Sequence, residues 1–217
     1  MQTIPETTET HQTFVAASTP EASSGIPAVF AAKQTLFRIG DTFSKVYRVK
    51  EGLIKTSRIN ADGIEQIAGF YVAGDVVGFD GFMAGEHRIN ATAIELSVLE
   101  SMEVALPRET SHQRDVIAMM AREIHYAQEH LALMNKTRAE ARLAAFLISM
   151  DMRLQAIHGE GTPWISISRM DMASFLGITN ETVSRLLKRF EAEGLLLLKG
   201  RKLQVTGRKG LRLRGTI

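Results

Sequence analysis

The sequence predicts an α+β chain: an N-terminal antiparallel β-roll of the cupin-like jelly-roll kind, a long dimerisation helix, and a C-terminal winged helix-turn-helix. Three observations predict it. Short β-like segments crowd between Gln34 and Pro107, separated by glycine and aspartate turns. A single long amphipathic stretch follows, from about Ser111 to Lys136. After it come two helical patterns joined by Gly177-Ile178 and then a hairpin with a basic tip.

The boundaries that follow are a flexible tail over 1–33, the β-roll over 34–108, the dimerisation helix over 109–136 and the winged helix-turn-helix over 137–217. The tail is rich in Thr, Ser, Glu, Pro and Ala, a composition that cannot offset the entropy of ordering. The β segments are Thr35 to Ile39, Lys45 to Val49, Leu53 to Ile59, Glu65 to Phe70, Asn90 to Val98 and Met102 to Leu106. Gly40-Asp41, Glu51-Gly52, Ala61-Asp62-Gly63, Gly74-Asp75 and Ala84-Gly85 separate them, a turn density that favours antiparallel pairing over βαβ units.

On the long helix, Ile117, Met120, Ile124, Ala127, Leu131 and Met134 recur at alternating intervals of three and four, the a/d seam of a coiled coil. No charge interrupts the six positions, so the helix is expected to pair with a second copy. Val116, Met119, Tyr126 and Leu133 form a second stripe suited to covering the β-domain. Beyond Lys136 the pattern predicts a helix over Ala139 to Met152, a break at Gly159 to Pro163, a strand at Ile165-Ser166-Ile167, and helices over Arg169 to Leu176 and Thr179 to Glu193. A hairpin around Lys199-Gly200-Arg201-Lys202 closes the pattern.

Composition removes whole classes of function. The chain has 217 residues, 45% hydrophobic and 23% charged, which suits a soluble globular protein rather than a collagenous or disordered one. It has no cysteine, which excludes disulfides, thiolate zinc, cysteine-ligated iron–sulfur clusters and a cysteine nucleophile. No apolar run nears the roughly 18 residues of a membrane span, and no secretory signal pattern opens the chain, so no membrane partner and a cytoplasmic location are expected. No phosphate-binding glycine loop, metal-spaced His/carboxylate set or nucleophile elbow is present, so the chain is not expected to be an enzyme, nor to hold a metal.

Charge divides the chain. From Lys136 to Ile217 there are 15 Lys and Arg against 7 Asp and Glu, whereas the first 135 residues hold 11 against 17. A basic C-terminal module joined to an acidic one points to a polyanion as partner. In the second helix of the pair, Val183, Leu186, Leu187 and Phe190 form the packing face. Glu181, Ser184, Arg185 and Lys188 form the opposite one. Arg can bond guanine O6 and N7, Glu can accept from cytosine N4, and Ser can bond several edges. Glu181, Ser184 and Arg185 are therefore the candidates for base readout of double-stranded DNA. Ser168, Arg169, Thr179, Asn180, Lys188, Arg189, Lys199, Arg201 and Lys202 are the candidates for backbone contact. Arg208, Lys209, Arg212 and Arg214 add charge after the hairpin.

Ile165-Ser166-Ile167-Ser168-Arg169, followed by Thr182-Val183-Ser184-Arg185-Leu186-Leu187-Lys188-Arg189-Phe190, resembles the fumarate–nitrate reduction regulator (FNR) branch of the cyclic-AMP receptor protein (CRP) superfamily. The resemblance extends upstream through Gln34-Thr35-Leu36-Phe37, Gly69-Phe70, Ala73-Gly74-Asp75, Val77-Gly78-Phe79-Asp80, Glu123-Ile124 and Arg142-Leu143-Ala144-Ala145-Phe146. It implies a homodimeric transcription regulator that binds a palindrome of TTGAT-like half-sites and recruits RNA polymerase. The polymerase contact would lie at Phe79, Asp80, Gly81, Phe82 and Gly85. Oxygen-sensing members of the branch carry an iron–sulfur cluster on an N-terminal cysteine group and a strand cysteine. Here the N-terminal region is Thr/Ser/Glu-rich and Val104 stands near the strand position, so no cofactor is expected and the dimer should form constitutively.

The alternative is a regulator that depends on an effector in the β-roll. For a cyclic nucleotide the superfamily uses a Glu on the ribose and an Arg followed by a small hydroxyl residue on the phosphate. This sequence offers the shorter Asp75, and Arg88 followed by Ile89. For haem, or nitric oxide sensed through it, His87, His125 and His130 are the available ligands, yet His125 and His130 diverge on their helix.

Overall fold

The computed structural model describes residues 25–103, 110–159 and 161–216, with side chains for all but 110–115 and 158. The tail over 1–24 and, of the strand expected over Met102 to Leu106, the part from Val104 on lie outside the described residues.

Eight strands make the N-terminal half: β1 (Ala28–Phe30), β2 (Thr35–Phe37), β3 (Val46–Glu51), β4 (Leu53–Ile59), β5 (Glu65–Val72), β6 (Val76–Val77), β7 (Asn90–Ala93) and β8 (Ser97–Met102). They form two antiparallel four-stranded sheets, ordered β1-β8-β3-β6 and β2-β7-β4-β5. Inward side chains of both, among them Phe37, Val49, Ile54, Tyr71, Val77, Ala91 and Leu99, fill the space between as one core.

Two expectations change here. Ala28–Phe30, placed in the tail, pairs with Leu99, Val98 and Ser97 of β8 and belongs to the roll. Asn90 to Val98, read as one strand, is two strands in different sheets, because the chain crosses between sheets at Ile94 to Leu96. The crossing is pinned by Ser97, whose hydroxyl donates to Glu95 O and accepts from Leu53 N. It also demands glycine at position 52: φ is 90°, and a Cβ there would stand 2.6 Å from Leu96 O.

The end of β5 shows how the two halves join. Successive strand residues point to opposite faces, so an unbroken apolar run means that both faces are covered. Tyr71 enters the β-roll core, while Phe70 and Val72 pack outward against helical residues such as Phe146 and Phe175.

The helical half comprises α1 (Thr110–Met134), α2 (Ala139–His158), α3 (Arg169–Leu176), α4 (Asn180–Ala192) and α5 (Arg208–Thr216). The small sheet β10-β11-β9 uses β9 (Trp164–Ile165), β10 (Leu196–Lys199) and β11 (Lys202–Val205). α2 runs six residues beyond the expected Met152, because Leu154 continues its buried stripe and the first breaker is Gly159. α5 is absent from the sequence reading. It packs along α2, with Leu211 buried and Gly215 against Ala145. Its arginines look like DNA-facing charge in the sequence, yet Arg208 pairs with buried Asp151, and Arg214 pairs with Glu140 and Glu193.

Candidate DNA-recognition surface

α3 and α4 are set by their caps. Ser168 Oγ accepts from Asp171 N at 3.0 Å and donates to its carboxylate at 2.8 Å, starting α3. Gly177 ends it in the left-handed region at φ 60°, where a Cβ would lie 2.9 Å from Met134 Cε. Thr179 Oγ1 then accepts from Thr182 N at 3.1 Å and starts α4. Val183, Leu186, Leu187 and Phe190 are buried against the preceding helices, each worth about 1.5–3 kcal/mol. The packing of that face fixes the direction of the opposite one.

That opposite face carries Glu181, Arg185 and Lys188, all exposed, with Ser184 half-buried between them. Neither Glu181 nor Arg185 enters an ion pair among the described residues, which leaves the acceptor and the bidentate donor available on one ridge near the helix N-terminus. Thr179, Asn180 and Arg169 flank it, and Lys199, Arg201 and Lys202 sit exposed at the hairpin tip around Gly200. Ser168 is half-buried and engaged in its cap. Arg189 departs from the set. One turn round the helix from the ridge, its guanidinium pairs with Glu193 at 2.9 Å and Glu140 at 3.3 Å, tying α4 to α2.

The module is docked firmly on the β-roll. Lys55 of β4 reaches the α3 cap at Asp171, 2.8 Å away, and Glu65 at 2.9 Å. Burial alone would lower the lysine's pKa; the hydrogen bonds to the two carboxylates outweigh it and raise it. Phe175 of α3 meets Phe70 and Phe146 and stacks on His130 of α1 at 3.9 Å. Asp75, 3% exposed, accepts from Arg153 of α2 at 2.6 Å, from the Tyr126 hydroxyl of α1 at 2.8 Å and from Val72 N at 2.8 Å. Burial and the Asp75 charge push Tyr126 up to about 12. Beside it, Tyr71 donates to Glu123 at 2.6 Å, and burial raises the Glu123 carboxyl above its ordinary value. Sequence reasoning found the Tyr126 stripe that covers the β-roll but missed the buried Asp75 to Arg153 pair. The pair's visible sign is Arg153, a charge next to the apolar stripe of α2.

The remaining candidates fall into place as follows. All six seam residues of α1 face outward; Ile117 and Leu131 are each 65% exposed. Val116, Met119, Tyr126 and Leu133 are half-buried on the inner side. In the β-roll, His87 is buried, stacked on Phe37 at 3.7 Å, with Nδ1 3.2 Å from Asp80. Asp80 also accepts from the backbone N–H groups of Arg88 and Ile89. The Asp80 carboxylate therefore holds its own loop, and Gly81 is buried against Phe43, with Phe82 edge-on to the same ring. Phe79 is half-buried, so of the five expected polymerase-contact residues Gly85 alone is exposed, beside Met83 and Glu86. Of the possible haem ligands, His130 hydrogen-bonds Phe175 O, His125 faces solvent near Glu129, and His87 is enclosed. Among the described residues no three His, Cys, Asp or Glu side chains cluster as a metal site.

A β-roll, a long helix with an uncovered apolar seam, and a winged helix-turn-helix with an open polar ridge define a two-domain DNA-binding regulator. Comparison with known proteins agrees. Residues 27–109 match the cyclic nucleotide-binding domain family and residues 141–214 the Crp-like helix-turn-helix domain. The fumarate and nitrate reduction regulatory protein of Escherichia coli K12 is 35% identical over 184 residues, covering 82% of this chain and 74% of the relative. The structure of FixK2 from Bradyrhizobium japonicum superposes with a TM-score of 0.75 at 28% identity, covering 89% of this chain and 97% of FixK2. A CRP-family transcriptional regulator of Thermus thermophilus, TTHB099, shares the fold at a TM-score of 0.75 and 21% identity, covering 88% of this chain and 97% of its own. The chain belongs to the CRP/FNR family of DNA-binding transcription regulators, within the FNR branch.

Proposed function

We propose that the chain works as a homodimer that reads a palindrome of TTGAT-like half-sites without an iron–sulfur cluster, a haem or a cyclic nucleotide. The observation that carries this reading is the α4 ridge, where Glu181 and Arg185 are exposed with Ser184 between them, and Arg185 enters no ion pair among the described residues. The exposed seam supports the dimer, since burying six uncharged positions per chain favours association without a cofactor. Two such recognition helices would enter successive major grooves about one helical turn apart.

The absence of cysteine from the 217 residues supports cluster-free action, because such clusters are held by thiolates. The Phe37, Tyr47 and His87 rings that fill the β-roll interior, and an Arg88 that faces solvent, speak against a cyclic nucleotide there. A regulator of this kind acts in the cytoplasm, where its DNA is, and contacts RNA polymerase. The exposed loop around Gly85 is the candidate contact in place of the inward Asp80 and Gly81. Catalysis has no part in this reading.

The test separates readout from backbone contact. Arg185→Ala should cost about 1–3 kcal/mol of specific binding and relax preference at the guanine. Lys202→Ala should weaken specific and scrambled duplexes alike and reduce the salt slope by about one. Equal losses on both duplexes for Arg185→Ala would overturn the assignment.

A further inference from the structure

A cleft away from the DNA-facing ridge lies where α1, α2, α5 and the β-roll meet. Its inner part is a cavity of about 90 Å³ walled by Phe70, Phe146, Phe175 and Leu133, with Tyr71 and Glu123 at one side. Its outer part is an open groove of about 670 Å³ bordered by Arg122, His125, Lys136 and Arg212, with Met152 and Ile148 on its floor. Tyr126, Glu129, Ser149 and Arg153 line both parts, so the two are one continuous space with an apolar end and a cationic end.

Three observations say what such a space takes. Arg153 stands in the throat between the parts, and its Nε is buried without a hydrogen-bond partner. The guanidinium lines both parts, so its positive charge bears on whatever occupies the throat. Among the described residues the outer groove carries Arg122, Lys136 and Arg212 against one acid, Glu129, which lies beside His125 at 3.6 Å. The inner walls are aromatic rings already in van der Waals array, 5.1–5.7 Å between centroids. Of the seam residues Ala127 alone borders the inner cavity, and none is among the residues lining the outer groove. At about 100° per residue, Glu129 stands about 160° round α1 from Leu131, so pairing through the seam leaves the groove on the far side.

We propose that this cleft is an effector site for a small amphiphilic anion. An aromatic or short aliphatic body occupies the inner cavity, and a carboxylate, sulfonate or phosphate group lies in the groove between Arg153, Arg122 and Arg212. A molecule seated there touches α1 on one side and α2 and α5 on the other. It therefore bears on the angle between the dimer helix and the DNA-binding module. It can shift that angle only by its difference in affinity for the two arrangements.

The probe is 8-anilinonaphthalene-1-sulfonate, titrated by fluorescence into the full chain, with uncharged N-phenyl-1-naphthylamine as the comparison. The expected result is saturable binding of one sulfonate per chain, tighter than the neutral analogue. Ser149→Phe, which plugs the throat and leaves the Asp75 to Arg153 pair intact, should weaken the sulfonate at least about tenfold. Arg212→Gln, an exposed change, should weaken it about two- to fivefold and bring the two probes together. At saturating sulfonate, affinity for a specific duplex should change by about fivefold or more. Non-saturating binding, indifference to Ser149→Phe, or loss on a seam substitution such as Leu131→Glu instead would overturn the site. Unchanged duplex affinity in the loaded protein would overturn its effector role. Failure to bind duplex at all would count against the proposed function, while the probe titration would still decide this site.

Discussion

Replacing Arg153 with methionine should expose how tightly the DNA-binding module is joined to the β-roll. In the native protein Asp75 is 3% exposed and accepts three hydrogen bonds, from Arg153, Tyr126 and Val72 N. Arg153 also donates to Phe70 O at 2.8 Å. Removing the cation leaves a buried carboxylate with two neutral donors and strips a carbonyl of one partner. Breaking a buried pair in this way costs about 3–5 kcal/mol, and the two surviving donors place the expected value near 3 kcal/mol. For a chain of this size about 3 kcal/mol lowers the Tm by roughly 6–12 °C. Asp75→Asn alone should cost a similar amount, whereas in the Arg153→Met background it should cost under about 1 kcal/mol, because the uncompensated charge is gone. The assay is urea unfolding followed by far-UV circular dichroism for the wild type, both single variants and the double variant. Costs that simply add, within about 0.5 kcal/mol, would refute the idea that the two side chains act as one buried unit.

Two further outcomes follow from the same geometry. Leu131→Glu places a charge at an outward seam position that makes no intrachain core contact. It should give a folded monomer in sedimentation at micromolar concentration, while a dimer that survives would remove the seam from the interface. Burial raises the Glu123 carboxyl in the folded protein, so the folded state binds its proton more tightly than the unfolded state. Stability contributed by this group is present at low pH and falls as pH rises from the ordinary carboxylate range through the raised folded value. Glu123→Gln keeps an acceptor for Tyr71. It should flatten this dependence in urea titrations at pH 5 and pH 7, and an unchanged profile would contradict the assignment.

The sequence carries the fold best where periodicity and caps agree. Ser168 with Asp171, the αL glycine at 177 and Thr179 bound α3 and α4 so closely that the expected Arg169 to Leu176 is the observed helix. The outward stripe of α1 is legible for the same reason, since the alternating three–four repeat puts its six residues on one exposed face. Legibility fails where a tertiary partner decides. The crossing at Ile94 to Leu96 has no turn residue to mark it, and its anchor is the hydroxyl of Ser97 reaching Leu53. α5 hides behind four basic residues, two of which, Arg208 and Arg214, have partners distant in sequence: Asp151, Glu140 and Glu193. Arg189 belongs with them: at helical spacing it sits next to the recognition ridge, yet Glu140 of another helix claims it. The loop from Phe79 to Gly85 is placed on the surface by the family resemblance, but Asp80 turns inward to hold the loop and Gly81 is buried against Phe43, contacts that no local pattern announces.

The most direct test of cofactor-free recognition is an anisotropy titration in air, with no ligand added. It sets the purified chain against a TTGAT-N4-ATCAA duplex and a scrambled duplex at one fixed moderate salt. The account predicts tight binding to the first and a specificity ratio of at least about a thousandfold over the second. Weak binding that does not distinguish the two would contradict it.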